Sequence, residues 1–340
     1  MNKRWNIRPE GSNWGDFGAD DRYGRMNLIT PERRLRALQE VQFGQIFCLS
    51  LPLDRPGGQV LNAHRCPPAF KKVERDGVNM FNLALEKFDQ RLTDVSSDEA
   101  VLLYSQYSTQ WDSFAHKGSL FDVDGTGTPK KVFYNGWEIV DESGSGTHGE
   151  LGAHHVSIAN MATTGVQGRG VLIDLQHHFG NTRTHVNLNM LQEVITKDQI
   201  QIEEGDIICL HTGLGDLIMQ SPITGPDASI KTACAVLDGH DKSLLQWITD
   251  TGIAAIASDN LAIEASSTLG LPKDFGHHGP ILPLHEHCLF KLGIHLGELW
   301  YLTDLAKWLR DQKRSRFLLT APPLRLPGAA GSPVTPIATV

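Results

Sequence analysis

The sequence predicts an α/β fold, and three observations predict it. Short apolar runs bounded by turn residues, GVLIDL (170–175), DIICLHTG (206–213) and IAAIASDN (253–260), read as buried strands. Helical stretches lie between them, at 187–199 and broadly 227–250, so the two element types are mixed without strict βαβ spacing. There is no internal repeat, and 340 residues with 40% hydrophobic and 21% charged side chains supply ample apolar area for a core without disulfides.

Taken in order, residues 1–30 read as an irregular arm rich in Gly, Asp and Asn, leaving 31–340 as one domain. A helix starts where Thr30 offers an N-cap oxygen, Pro31 suits the first helical position and Glu32 places an acid near the positive helix end. It is expected to reach about Gln42, followed by a strand at 45–53 that Pro56-Gly57-Gly58 breaks. Residues 59–98 have no clear period and contain Pro67-Pro68, which predicts a long surface excursion of the kind that often covers a site. The run from Ala100 to His116 reads as β-rich, and SGSGTHGELG (143–152) as a loop. LHEHCLFKLG (284–293) reads as helical, IHLGEL (294–299) as a strand and 301–312 as a helix. The tail should hold one strand and then a Pro-rich end from Pro322, extended enough to lie across a neighbouring subunit.

Composition excludes several functions. With 31 Lys+Arg against 39 Asp+Glu the formal charge is −8, which argues against nucleic-acid binding. No apolar stretch approaches the roughly 20 residues of a membrane helix. The start, MNKRWNIRPEGSNWG, lacks a signal-peptide core, so a cytoplasmic protein is expected. Five cysteines without a CxxC pair fit buried, reduced thiols. The 15 histidines are clustered, with His148, His154-His155, His177-His178, His277-His278 and the trio His285, His287, His295, and such clusters favour metal or acid–base chemistry.

Two segments carry the candidate chemistry. In QYSTQWDSFAH (106–116) a period of two puts Gln106, Ser108, Gln110 and Asp112 on one strand face, with Trp111 and His116 adding a bulky wall and a titratable group. In HEHCLFKLGIHLGE (285–298), His285 on a helix and Glu298 at the end of the next strand can converge as nitrogen and carboxylate ligands. GVQGRG (165–170) precedes a strand, so it is not a dinucleotide-binding loop. GxSxG, P-loop and HExxH motifs are absent.

Together these segments resemble the cyclase family of metal-dependent hydrolases, which includes bacterial kynurenine formamidase and isatin hydrolase. The family motif H-x-G-T-H-x-D-x-P-x-H aligns with 106–116, where Asp112 and His116 match and both earlier histidines are glutamine, Gln106 and Gln110. The S-T-Q-W-D form resembles a longer-chain branch. Its other marks are Asn13-Trp14-Gly15, Asp20-Asp21, Gly24, Gly168 to Asp174, Asp206 to Gly213, Ser258-Asp259-Asn260 with Glu264, and Leu284-His285 through Gly297-Glu298.

The resemblance implies a three-layer, swivelling β/β/α fold in a homodimer or homotetramer. It implies hydrolysis of a small amide, cyclic and aromatic amides included, with a divalent ion activating water. Asp112, His285 and Glu298 match the metal ligands and His116 the acid–base histidine, with Glu286 or His287 as competitors for the His285 role. Glutamine at two imidazole positions points to one ion, manganese or zinc, with Gln110 ligating or binding substrate. Gln106, Trp111, Phe114 and His154 are the candidate substrate contacts, with Trp137 a further aromatic wall. The alternatives are a catalytically silent small-molecule binding protein and a metal-assisted lactonase or dehydratase.

Overall fold

The computed structural model describes residues 3–139, 152–265 and 279–340. His148, His277, His278 and most of the glycine loop expected at 143–152 lie outside these residues.

One nine-stranded sheet organises the chain. Its strands are β1 (Ile46–Cys48), β2 (Gln110–Asp112), β3 (Gln167–Asp174), β4 (Ile207–His211), β5 (Ala255–Ser258), β6 (His295–Glu298), β7 (Arg316–Thr320), β8 (Gly331–Pro333) and β9 (Ile337–Thr339). They lie in the order β1-β9-β7-β3-β4-β5-β6-β2-β8. β3 to β6 are parallel, and the flanking pairs are antiparallel.

The sheet is curled, and the chain itself shows why. β8 and β9 sit seven inter-strand spacings apart, about 34 Å in a flat sheet. Only 334–336 connect them, a reach of about 14 Å, so the two ends of the sheet must roll towards each other. The tail therefore returns to its own sheet at both ends. This corrects the expectation of a single strand in the tail followed by an extended end.

Alternation along the strands builds two cores. Leu172, Cys209, Ala255, Ala257, Phe317, Leu319 and Ala338 join Trp111 and Trp300 inside the roll. Val171, Ile173, Ile208, Leu210, Ile256 and Leu296 face outwards and are covered by Leu191 and Val194 of helix Leu188–Lys197 and by Leu244 and Ile248 of helix Lys242–Thr251. Opposed halves of the roll thus form two β layers and the helices a third, which is the expected β/β/α arrangement.

Several elements differ from expectation. The first helix ends at Leu38. The 227–250 helix is replaced by a 3-10 turn Ala228–Thr232, a strand Ala235–Leu237 and helix Lys242–Thr251, because the apolar Ala235–Leu237 pairs with Thr184–Val186. Within 59–102 the excursion forms three small two-stranded ribbons, such as Ala69–Lys72 with Glu99–Leu102. The N-terminal arm is irregular yet firmly packed. Trp14 donates its indole N–H to the Phe290 carbonyl at 2.8 Å, Asn13 donates to Leu292 at 2.8 Å, and Gly24 lies so close to Gly293 that a Cβ would sit 2.1 Å from its oxygen. The arm thereby clamps the segment that follows His285.

Candidate metal centre

The site lies on the outer face of β2 and β6. Trp111 points into the roll, so its neighbours Gln110 and Asp112 point out. Register places Gln110 opposite Glu298 and Asp112 opposite Leu296. Gly297 faces inwards beneath Trp111, whose ring stands 3.0 Å from where a Cβ would be, so this strand needs glycine there. His285 arrives from the opposite side, on a short helix Pro283–His285 that widens into a π-helix Glu286–Leu292, a geometry frequent at functional sites.

Asp112, His116 and His285 each present a ligand atom, and these atoms all lie within 4.8 Å of one another. His116 Nε2 is 3.8 Å from Asp112 Oδ2. His285 Nε2 is 3.3 Å from Glu298 Oε1, and Gln110 Nε2 donates to Glu298 Oε2 at 3.1 Å. Asp112, Gln110, Glu298 and His285 are buried.

The tautomer of His285 follows from its surroundings. Glu264 Oε1 accepts the backbone N–H of His285 at 2.9 Å and lies 2.8 Å from Nδ1, while Oε2 accepts the N–H of Leu284 at 3.0 Å. An acceptor on that side makes Nδ1 a protonated nitrogen and turns Nε2 to the site, where a cation would take the place of the proton that Glu298 favours there.

The donor set fits a divalent cation. Among the described residues, Asp112 Oδ2 and Gln110 Oε1 are buried oxygens without a hydrogen-bond partner, an arrangement that costs free energy unless a cation or donor fills it. Burial and the charge of Asp112 push the Glu298 carboxyl above its ordinary range. For His285, burial works against the charged form, and hydrogen bonds with Glu264 and Glu298 outweigh it and raise the imidazole. Both shifts mark a cluster of negative charge seeking a positive partner. Burial lowers His116 despite the nearby Asp112, which keeps its imidazole neutral near pH 7.

The three competitors for the late histidine position are placed apart. Glu286 accepts from Ser119 Oγ at 3.0 Å and His287 Nε2 is 2.9 Å from Thr249 Oγ1, so His285 alone of the three joins the cluster.

Other expectations are corrected. Strand pairing begins at Gln110, with turns before it, so Gln106 and Ser108 do not continue the polar face. Ser108 donates instead to the Pro52 carbonyl at 3.2 Å, and Gln106 accepts from Ser105 at 2.9 Å. Trp111 is a core residue, with its ring 5.0 Å from that of Trp300 and its N–H on the Ala321 carbonyl at 2.9 Å. Phe114 is also core, stacked 4.1 Å from the His295 ring and 4.8 Å from that of Tyr134. Trp137 is sandwiched between Arg4 and the stacked His155. His154 is exposed in the turn His154–Val156, outside the group of three possible ligands. Of the cysteines, Cys209, Cys234 and Cys288 are buried, whereas Cys48 is exposed and Cys66 partly so.

Two further residues, Glu264 and His295, support the cluster from behind. His295 Nδ1 donates to the Asp112 carbonyl at 3.0 Å, fixing the backbone of that residue. The available signal was their place, since both are polar residues within otherwise apolar stretches.

The model of the family described as "Putative cyclase" matches residues 48–265, and the chain belongs to that family. A solved structure titled as a novel cyclase is similar over 97% of both chains, with 28% identity and a TM-score of 0.74. Isatin hydrolase A from Labrenzia aggregata, bound to benzyl benzoate, shares the fold at 14% identity and a TM-score of 0.54, covering 87% of this chain and 93% of its own. An isatin hydrolase bound to the product analogue thioisatinate does so at 13% identity and 0.52, covering 92% and 99%. No curated protein matches the sequence.

Proposed function

We propose that the protein is a metal-dependent hydrolase that cleaves the carbon–nitrogen bond of a small amide. The observation that carries this reading is the convergence of two buried oxygens that have no hydrogen-bond partner among the described residues, Asp112 Oδ2 and Gln110 Oε1, with the Nε2 of a histidine oriented by Glu264. Family membership and the isatin hydrolase fold add support.

Asp112, His285 and Glu298 would hold one manganese or zinc ion, with Gln110 Oε1 as a further oxygen donor. When bound, the ion polarises the amide carbonyl and acidifies water. His116, neutral at pH 7 and 3.8 Å from Asp112, stands where it takes the proton of the attacking water. The O–C bond forms as that proton leaves, and His116 then delivers it to the nitrogen as the C–N bond breaks. Glu264 holds the His285 ring, and His295 holds the Asp112 carbonyl.

A second reading has His116 as a ligand, favoured by the mutual 4.8 Å limit among Asp112, His116 and His285. Metal content of a His116→Gln variant separates the two, since an acid–base residue leaves the metal in place and a ligand does not. The activity is tested by incubating the metal-loaded chain with cyclic and formyl amides and identifying products. Addition of water across the amide supports hydrolysis. Loss of water, or an untouched panel with tight binding, favours the dehydratase or the silent binding protein. The same reading places the protein in the cytoplasm as a homodimer or homotetramer; among the described residues no helix is long and apolar enough to cross a membrane.

A further inference from the structure

The long excursion carries an apolar face that its own chain leaves uncovered. Ala69–Lys72 and Glu99–Leu102 pair with each other, and every residue of both strands is exposed. Among the described residues neither strand pairs with a third, and an isolated two-stranded ribbon is marginal in water. The chain that leads into Glu99–Leu102 comes from a second ribbon, where Leu83 stands opposite Ser96 and Ala84 opposite Val95. Leu83 is buried, so its side of the ribbon rests on the protein and the Val95 side turns away from it. A period of two keeps Val101 on the face of Val95, and Phe70 stands opposite Val101 in register.

That face has the size of an interface. Phe70 is 76% exposed and Val95 63%, while Phe81 and Phe88, which flank the second ribbon, are 54% and 60% exposed. At roughly 150–250 Å² for a whole aromatic side chain, the three phenylalanines alone expose about 400 Å². A standard interface buries about 800 Å² on each partner, a little over half of it non-polar. With Val95 and Val101 added, the arm supplies the apolar part of one complete interface.

Charge and constancy say what covers it. Residues 69–102 hold five Lys or Arg and seven Asp or Glu, interspersed along the arm. An anionic lipid surface selects a basic cluster, and this arm is slightly acidic. A two-fold axis lays a patch against itself, which a surface of one sign resists and a mixed one allows. An apolar ribbon of this size is an aggregation hazard from the moment the chain folds, and the partner always present at equal concentration is the chain itself.

We infer that 69–102 is a dimerisation arm whose outer face, with Phe70, Phe88, Val95 and Val101, packs against the same face of a second copy of this chain. The inference supplies the interface for the homo-oligomer of the reading above and rests on that part of it, independently of the reaction.

The test is sedimentation equilibrium of the full chain over a roughly hundred-fold range of concentration, for the wild type, F70E, F88E and the double variant, with circular dichroism verifying each fold. Both positions are exposed in the single chain, so a charge there leaves the monomer folded and strikes only the interface. The wild type should be a dimer or a multiple of one, and each single variant should raise the dissociation constant by about thirty-fold or more, the loss expected of an aromatic anchor. Hydrogen exchange of the wild type supplies a readout free of substitutions: amides of 69–102 should exchange more slowly in the dimer than at concentrations where it dissociates. A wild type that oligomerises with unchanged constants in the variants and unchanged exchange at 69–102 overturns the inference and leaves the homo-oligomer standing. A wild type that is monomeric throughout overturns both.

Discussion

Glu264 and His285 form a buried pair in which one carboxylate oxygen meets both the backbone N–H of His285 and its ring nitrogen Nδ1, at 2.9 and 2.8 Å. Gly239 makes room for that carboxylate, because a Cβ there would lie 2.0 Å from Glu264 Oε2. The pair fixes where the imidazole lone pair points, and with it the geometry of the centre.

Glu264→Gln should therefore weaken metal binding more than it weakens the fold. Second-layer partners of this type typically contribute 10- to 100-fold in metal affinity, so a loss of about that size is expected in competition with a chromophoric chelator. An unchanged affinity would show that His285 does not depend on Glu264 for its orientation.

His116→Gln should reduce kcat by about a hundred- to ten-thousand-fold while metal stays bound, the range for removal of an acid–base group. Metal analysis and turnover on the same preparation check both halves of the statement.

The pH profile follows from the His116 environment. Burial places its folded pKa below the usual 6.5, and the base is active only when neutral. Activity should thus rise with pH through a midpoint below 6.5 and stay level as pH passes through neutrality. A bound cation moves that midpoint in the same direction. An acid limb centred above 6.5 in kcat/KM would contradict the assignment.

Stability should also depend on pH, through two other histidines. Burial pushes His287 and His295 down to about 4, so between that pH and 6.5 the unfolded chain binds more protons than the folded one. Stability then falls as pH drops through this window, by roughly 3 kcal/mol for each histidine at full effect. The raised Glu298 and His285 act in the opposite sense over part of the same range, so the His287 contribution is read as the difference between wild type and His287→Gln in urea titrations at pH 7.5 and 5.0, and the variant should lose less stability on going to pH 5.0.

Trp111→Phe distinguishes a core residue from a substrate wall. Its indole fills the interior of the roll and donates to Ala321 across it, so the variant should lose about 1–3 kcal/mol of stability with KM nearly unchanged. A raised KM at unchanged stability would place Trp111 at the substrate.

What could be read from the sequence is what depends on local signals. Thr30 and Pro31 mark the first helix, Gly252 and Gly293 end later helical segments with positive φ, and apolar runs locate β3, β4 and β5. The motifs singled out Asp112, His285 and Glu298, whose side chains the structure brings together. Long-range closure was not. Nothing local announces that 331–333 and 337–339 join distant parts of one sheet, or that Glu264 reaches His285 across 21 positions. Trp111 was misplaced for another reason: proximity in sequence to Asp112 suggested proximity in space, although alternation sends adjacent strand residues to opposite faces.

A metal centre built on Asp112 is tested most directly by elemental mass spectrometry of the purified protein beside an Asp112→Ala variant prepared identically. About one equivalent of manganese or zinc is expected in the wild type, and its loss in the variant. Wild-type protein without metal even after reconstitution, or a variant that keeps its full complement, would contradict it.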